Sequence, residues 1–287
     1  MTERELFYPE RFKVASRYYT TGRPTYPRLL APRVANLVGV SRVDDVLDLG
    51  TGPGFLAIDF APLARAVTGV DPSPEMLEAA RANAVNAQVD VRFLRGSSYE
   101  IGAHLGRFKL VTIGRAFHWM DRAETLRALD ALIEPGGGVA LFGETYPEVP
   151  ANAWRQSFQD SIDRYSTEDP ARPKIRAAAS NESVLLSSSF DHLERISVLE
   201  ERRTPIERFV DRALSFASTW HGRPGSREDD LAGEIRSGIA AHADADGLVR
   251  EVVEGHALIA RRARDGVALS NAPRGASGTA RSRSTTH

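Results

Sequence analysis

Between Val43 and Phe142, short apolar runs alternate with helical patterns. Val43–Leu49, Ala66–Val70, Val89–Leu94, Leu110–Ile113 and Val139–Phe142 read as strands. Phe55 to about Ala61, Pro74 to about Asn86 and Asp121–Ile133 read as helices. Ser73 is the expected N-cap of the second helix, with Pro74 at its first position. Met76, Leu77, Ala80 and Ala84 recur on one face of that helix, and Leu126, Leu129, Leu132 and Ile133 turn inward on the next. The triple glycine at 136–138 is expected to stop that last helix. Such alternation predicts parallel βαβ units, because a parallel strand pair needs a long crossover. The expected class is α/β, a doubly wound sheet with helices on both faces.

The flanks differ. The first 40 residues are aromatic and basic, with RPTYP at 23–27, and a helix is expected from Pro27 to Val38, its start delayed or kinked by Pro32. Residues 144–188 are rich in Pro, Ser, Arg and Asp, with a helical patch over Trp154–Tyr165. Leu193–Arg202 and Leu248–Ala260 read as strands, Ile206–Ala217 and Asp229–Ala241 as helices. The expected organisation is an N-terminal helical cover at 1–40, a main domain at 41–263 containing a cover or insertion at 144–190, and a disordered tail at 264–287. A net charge of −1 gives no global pull toward nucleic acid or anionic lipid, and the pairs Arg202-Arg203 and Arg261-Arg262 are too sparse for a basic stripe. Without cysteine the chain has neither disulfides nor thiolate metal sites, and His104, His192, His242 and His256 show no ligand spacing, so no metal is expected. The opening MTERELFYPERFK lacks the apolar core of a signal peptide, and no apolar run approaches the roughly 20 residues that span a bilayer. A soluble, cytoplasmic protein is expected.

The stretch VLDLGTGPG at 46–54 leaves the first strand, passes Asp48, and spends Gly50, Gly52 and Gly54 on alternate positions before a helix. Glycines there permit positive φ and let a ligand approach the backbone. In open parallel sheets ligands sit at that edge, where strand order reverses. The dinucleotide pattern G-x-G-x-x-G/A is not met, because Phe55 takes its last position, and no G-K-[ST] of a P-loop follows.

These residues resemble class I S-adenosylmethionine-dependent methyltransferases. VLDLGTGPG is similar to their first motif, VTGVDPSPEML at 67–77 to their second-strand motif, and LIEPGGGVALF at 132–142 to the approach to their fifth strand. The three occur in the family's order over residues 43–143. RPTYP and AFHWMD at 116–121 resemble, more loosely, the branch of trans-aconitate methyltransferase-like enzymes. The resemblance implies a Rossmann-like seven-stranded sheet with its last strand antiparallel, with cover segments at the N-terminus and after the fifth strand. It also implies S-adenosyl-L-methionine as cofactor, held by Asp48, Gly50, Thr51, Gly52, Gly54, Asp71, Pro72, Met76, Ser97, Ser98, Arg115, Phe117 and Tyr19.

Within that set, Asp71 would take the two ribose hydroxyls, since a carboxylate accepts two bonds from a vicinal diol. Its alternative role is to cap the helix at Pro74. Asp48 would hold either the methionine ammonium or only the turn, and Met76 would lie against adenine or in the core. Ser97 stands where the family has an acid near the adenine amino group. His118 is the candidate general base, with a pocket wall as its other reading. Trp119, Trp154 and Trp220 are candidate substrate contacts, and Tyr18, Tyr19 and Arg23 a candidate cover. Tyr165, His221 and Arg223 belong to the capping segments, where Arg155, Arg172 and Lys174 would either attract a carboxylate or form a solvated face. The expected reaction moves a methyl group to a small molecule, with oxygen as acceptor, and needs no nucleic-acid or membrane partner. Two other readings stand beside it: an NAD(P)-dependent oxidoreductase, and a non-catalytic regulatory protein that binds the same cofactor.

Overall fold

The computed structural model describes residues 18–166, 178–216 and 227–263. Trp220, His221, Arg223, Arg172, Lys174 and the 264–287 tail lie outside the described residues. In chain order the elements are α1 (Leu30–Val38), β1 (Asp45–Leu49), α2 (Phe55–Phe60), β2 (Ala66–Asp71), α3 (Pro74–Ala87), β3 (Arg92–Arg95), β4 (Phe108–Gly114) and α4 (Arg122–Leu132). Then follow β5 (Ile133–Thr145), α5 (Trp154–Tyr165), α6 (Asn181–Leu186), β6 (His192–Pro205), α7 (Ile206–Leu214), α8 (Glu228–Ala240) and β7 (Leu248–Arg261).

The seven strands form one sheet in the order β3-β2-β1-β4-β5-β7-β6. β1 to β5 pair in parallel, and β7 runs antiparallel to both β5 and β6. Successive strand residues point to opposite faces. Val46, Leu110, Phe142 and Ile259 therefore pack with Leu30, Val34 and Phe60 of α1 and α2. Leu47, Val111, Leu141 and Leu258 pack on the other face with Leu126 and Leu129 of α4. A third core, with Trp154, Phe158, Phe209, Leu231 and Ile235, joins α5, α7 and α8. α5 thus packs with two helices inserted between β6 and β7.

Ser73 caps α3, its Oγ accepting from the Met76 N–H at 3.2 Å. Asp121 caps α4 in the same way through Glu124 N–H. The triple glycine does not stop α4. That helix ends at Leu132, because Pro135 disfavours helical geometry at Glu134. β5 begins at Ile133 and carries the glycines within it. Its pairing with β4 slips there, from Phe108↔Ile133 to Leu110↔Gly138. A Cβ on Gly137 would stand 2.5 Å from the Lys109 carbonyl, so the bulge requires the missing side chain.

Among the described residues, no helix is long and apolar enough to cross a membrane.

Candidate active site

A cavity of about 870 Å³ opens at the carboxyl ends of the parallel strands, where β1 lies between β2 and β4. The β1–α2 loop forms its floor. Gly50 N–H and Thr51 N–H donate to the Val70 carbonyl at 2.8 and 3.0 Å, folding the loop back over β2. Gly50 has φ +71°, and a Cβ there would meet the Ala116 Cβ at 2.6 Å. Gly52 has φ +53°, and a Cβ there would meet nothing within 4 Å: open space lies above this backbone.

Asp71 ends β2 at the cavity wall. Its Oδ2 accepts from Gly52 N–H and its Oδ1 from Ser73 N–H, each at 2.9 Å. One carboxylate therefore ties the glycine loop to the start of α3. Because Ser73 is the N-cap, Asp71 does not cap that helix. Burial raises the Asp71 pKa, and the two N–H donors oppose the shift.

Asp48 and Thr51 lie beneath the loop, lining a narrow recess with Tyr19, Tyr26 and Arg115. Asp48 accepts from Thr51 Oγ1 at 2.6 Å and from Thr112 Oγ1 at 2.8 Å. Burial pushes its pKa up to about 6 against those bonds. Asp59, in α2, is pushed up to about 7 by burial and then by Asp48. An acid with a raised folded-state pKa stabilises the fold below its unfolded pKa and loses that contribution as pH rises through the folded value. Asp59→Asn should accordingly raise stability on the order of 2 kcal/mol at pH 8. The gain should shrink below pH 7 and vanish near pH 4, which urea titrations across that range would show. A gain independent of pH would contradict this account.

Pro72, Met76, Ser97, Ser98, Arg115, His118, Trp119 and Tyr19 also line the cavity, with Gly50, Gly52 and Asp71. Met76 is both core and wall, being 3% exposed. Three expected contacts lie elsewhere. Gly54 packs under the loop, where a Cβ would meet Ala80 and the Phe93 ring at 3.2 Å. Phe117 is buried among the α4-side core. Trp154 is 2% exposed and packs edge-on against Tyr146, Phe158 and Phe209, lining a separate cleft. Its helix was legible, but the third core claims the side chain. Tyr165 packs against that same core.

The structure adds residues that sequence reasoning missed or left unassigned. Glu100 lines the cavity and accepts from both Ser97 N–H and Ser97 Oγ, at 2.9 and 2.8 Å. An acid thus stands beside the serine, three residues further along. Glu144, at the end of β5, accepts through Oε1 from Arg115 Nη1 at 3.2 Å. Arg115 also donates to the Pro24 carbonyl, and its guanidinium lies 4.9 Å from the Tyr26 ring centre. Arg115 has φ +56°, which is costly for a side-chain-bearing residue and is held here by these contacts. Arg23 lies 4.3 Å over the Phe216 ring and reaches the cavity beside Tyr19. The signal for Glu144 was its place after the fifth strand. Arg23 was expected in the cover, and the structure brings it to the wall.

The His118 and Trp119 rings lie with centres 4.7 Å apart and planes tilted by 46°. Burial, then the positive charges of Arg23 and Arg122, pull its pKa down to about 4. The imidazole is neutral at pH 7 and a weak base.

Strand order, glycine turn and terminal carboxylate define a Rossmann-like domain with its ligand site at the topological switch point. Residues 46–137 match the family described as a methyltransferase domain. An uncharacterized methyltransferase of Mycobacterium tuberculosis is 31% identical over 157 residues, which is 55% of this chain and 60% of that protein. The ribosomal protein L11 methyltransferase of Thermus thermophilus is 41% identical over 107 residues, 37% of this chain and 41% of that protein. The match to the mycobacterial relative therefore spans about three fifths of its length. The structure of a candidate type II methyltransferase from Anaeromyxobacter dehalogenans superposes with a TM-score of 0.57 at 19% identity, covering 84% of this chain and 97% of that one, and shares the fold. Over residues 46–137 the chain is thus similar to methyltransferase domains, and its fold is one that methyltransferases share.

Proposed function

We propose that the protein transfers the methyl group of S-adenosyl-L-methionine to the oxygen of a small molecule. The observation that carries this reading is the Asp71–Gly52 arrangement, in which a buried carboxylate and an uncovered glycine backbone bound one cavity. The residues fit the cofactor. Each Asp71 oxygen spends one lone pair on a backbone N–H and keeps another for a ribose hydroxyl. Glu100 and Ser97 would meet the adenine amino group. Tyr19, Arg115 and the recess over Asp48 would receive the methionine end.

When bound, the cofactor supplies a sulfonium whose methyl group is already electrophilic. The chain's own residues then position and enclose. Tyr19, Arg23 and Ser215, from the N-terminal segment and the end of α7, close the cavity on the cover side. His118 and Trp119 form a wall, because an imidazole held near pKa 4 is a poor proton acceptor at neutral pH. Incubation of the protein with methyl-labelled cofactor and a pool of hydroxylated metabolites tests the reading. Label should enter a small-molecule product as an O-methyl group, an alkali-stable ether from a hydroxyl or an alkali-labile ester from a carboxylate. Label recovered as N-methyl or C-methyl product would contradict the oxygen reading, and no transfer to any pool would favour a binding role.

A further inference from the structure

Gly143 of β5 and His256 of β7 are direct partners in the antiparallel pair. The imidazole lies over the glycine: a Cβ on Gly143 would stand 2.6 Å from Nε2 and 2.9 Å from Cε1. Any larger residue would displace the ring. The glycine thus lets a side chain from β7, far from the glycine loop in sequence, lie across the end of β5. Both residues line the cavity, as does Glu144. Glu144 Oε1 is engaged by Arg115, while Oε2 is buried without a hydrogen-bond partner among the described residues.

We propose that His256 is the proton-accepting residue of the reaction chamber and that the methyl acceptor is a neutral hydroxyl compound. The inference rests on the methyltransferase reading. As the acceptor oxygen forms its bond to the methyl carbon, the carbon–sulfur bond breaks and its electron pair stays on sulfur, giving a thioether. The hydroxyl proton passes to the imidazole and then to water.

The surroundings of the two cavity histidines differ. Protonation of His118 is opposed by burial, Arg23 and Arg122. Burial, then Arg195 of β6, lowers the His256 pKa, while Glu254 of its own strand, Glu144 of β5 and Glu182 of α6 act against that shift. Carboxylates thus act on the second imidazole, whereas the charges acting on the first are arginines alone.

The test needs no identified acceptor. Protein with isotope-labelled histidine rings is titrated by NMR from pH 4 to 9 with saturating S-adenosylhomocysteine, then with S-adenosylmethionine. Loss of one ring signal in His256→Gln assigns the residue. The two ligands differ by a methyl group and one positive charge. A ring facing that charge should titrate lower with S-adenosylmethionine by about half a pH unit or more. His104 and His242, outside the cavity lining, should not move. In Gly143→Ala the new Cβ drives the ring aside, and the difference at His256 should disappear while the other histidine signals report a folded protein. Equal His256 titration with both bound ligands would overturn the proposal. So would a neutral-range titration of His118 that alone senses the ligand charge. Absence of binding by either ligand, read by calorimetry, would instead sink the methyltransferase reading.

Discussion

Glu251→Gln is expected to destabilise the protein by about 3–5 kcal/mol. The carboxylate is 1% exposed and accepts from Arg212 Nη1 at 2.9 Å, Arg212 Nη2 at 3.1 Å and Thr204 Oγ1 at 2.6 Å. Arg212 is itself 4% exposed, ringed by Tyr146, Trp154 and Phe209. Removing the negative charge strands a guanidinium away from water. The pair also ties α7 to β7 of the sheet, and a Cβ on Gly22 would stand 2.3 Å from the Asp211 backbone carbon, beside Arg212. That close approach fixes the N-terminal segment against α7. Urea unfolding of the variant measures the loss. The double substitution Arg212→Met, Glu251→Leu should recover most of it, since a buried ion pair replaced by apolar side chains is often neutral. A single variant as stable as the native protein would contradict the buried pair.

Asp71→Ala is expected to weaken S-adenosylhomocysteine binding by roughly ten- to hundredfold, equivalent to about 1.5–3 kcal/mol for a hydrogen bond to a charged group. Two contributions are separable. The carboxylate holds Gly52 and Ser73 N–H, and it faces the cavity. An S-adenosylhomocysteine analogue lacking both ribose hydroxyls tells them apart. If Asp71 binds the ribose, the substitution costs much less affinity for the analogue than for the parent ligand. Equal losses would mean that Asp71 only shapes the loop.

The βαβ order, the Ser73 cap, the glycine turn and Asp71 at the end of its strand were all legible in the sequence. Each rests on local pattern: periodicity, turn chemistry and capping act within a few residues. What was not legible depends on pairing across the chain. His256 reaches the cavity only because β7 pairs with β5 in a register that sets it over Gly143. Glu144 gains its meaning from Arg115, twenty-nine residues earlier. Trp154 shows the converse: its helix was evident, but its burial depends on α7 and α8, which build a core that sequence spacing did not announce. The start of β5 at Ile133 was hidden because three glycines read as a break, whereas here they admit a bulge.

Calorimetric titration of the native protein with S-adenosylhomocysteine, beside NADH as a comparison ligand, tests the central claim most directly. The account predicts saturable one-to-one binding of S-adenosylhomocysteine, micromolar or tighter, and no heat with NADH. NADH binding without S-adenosylhomocysteine binding would contradict it, and would assign the glycine loop and Asp71 to a dinucleotide.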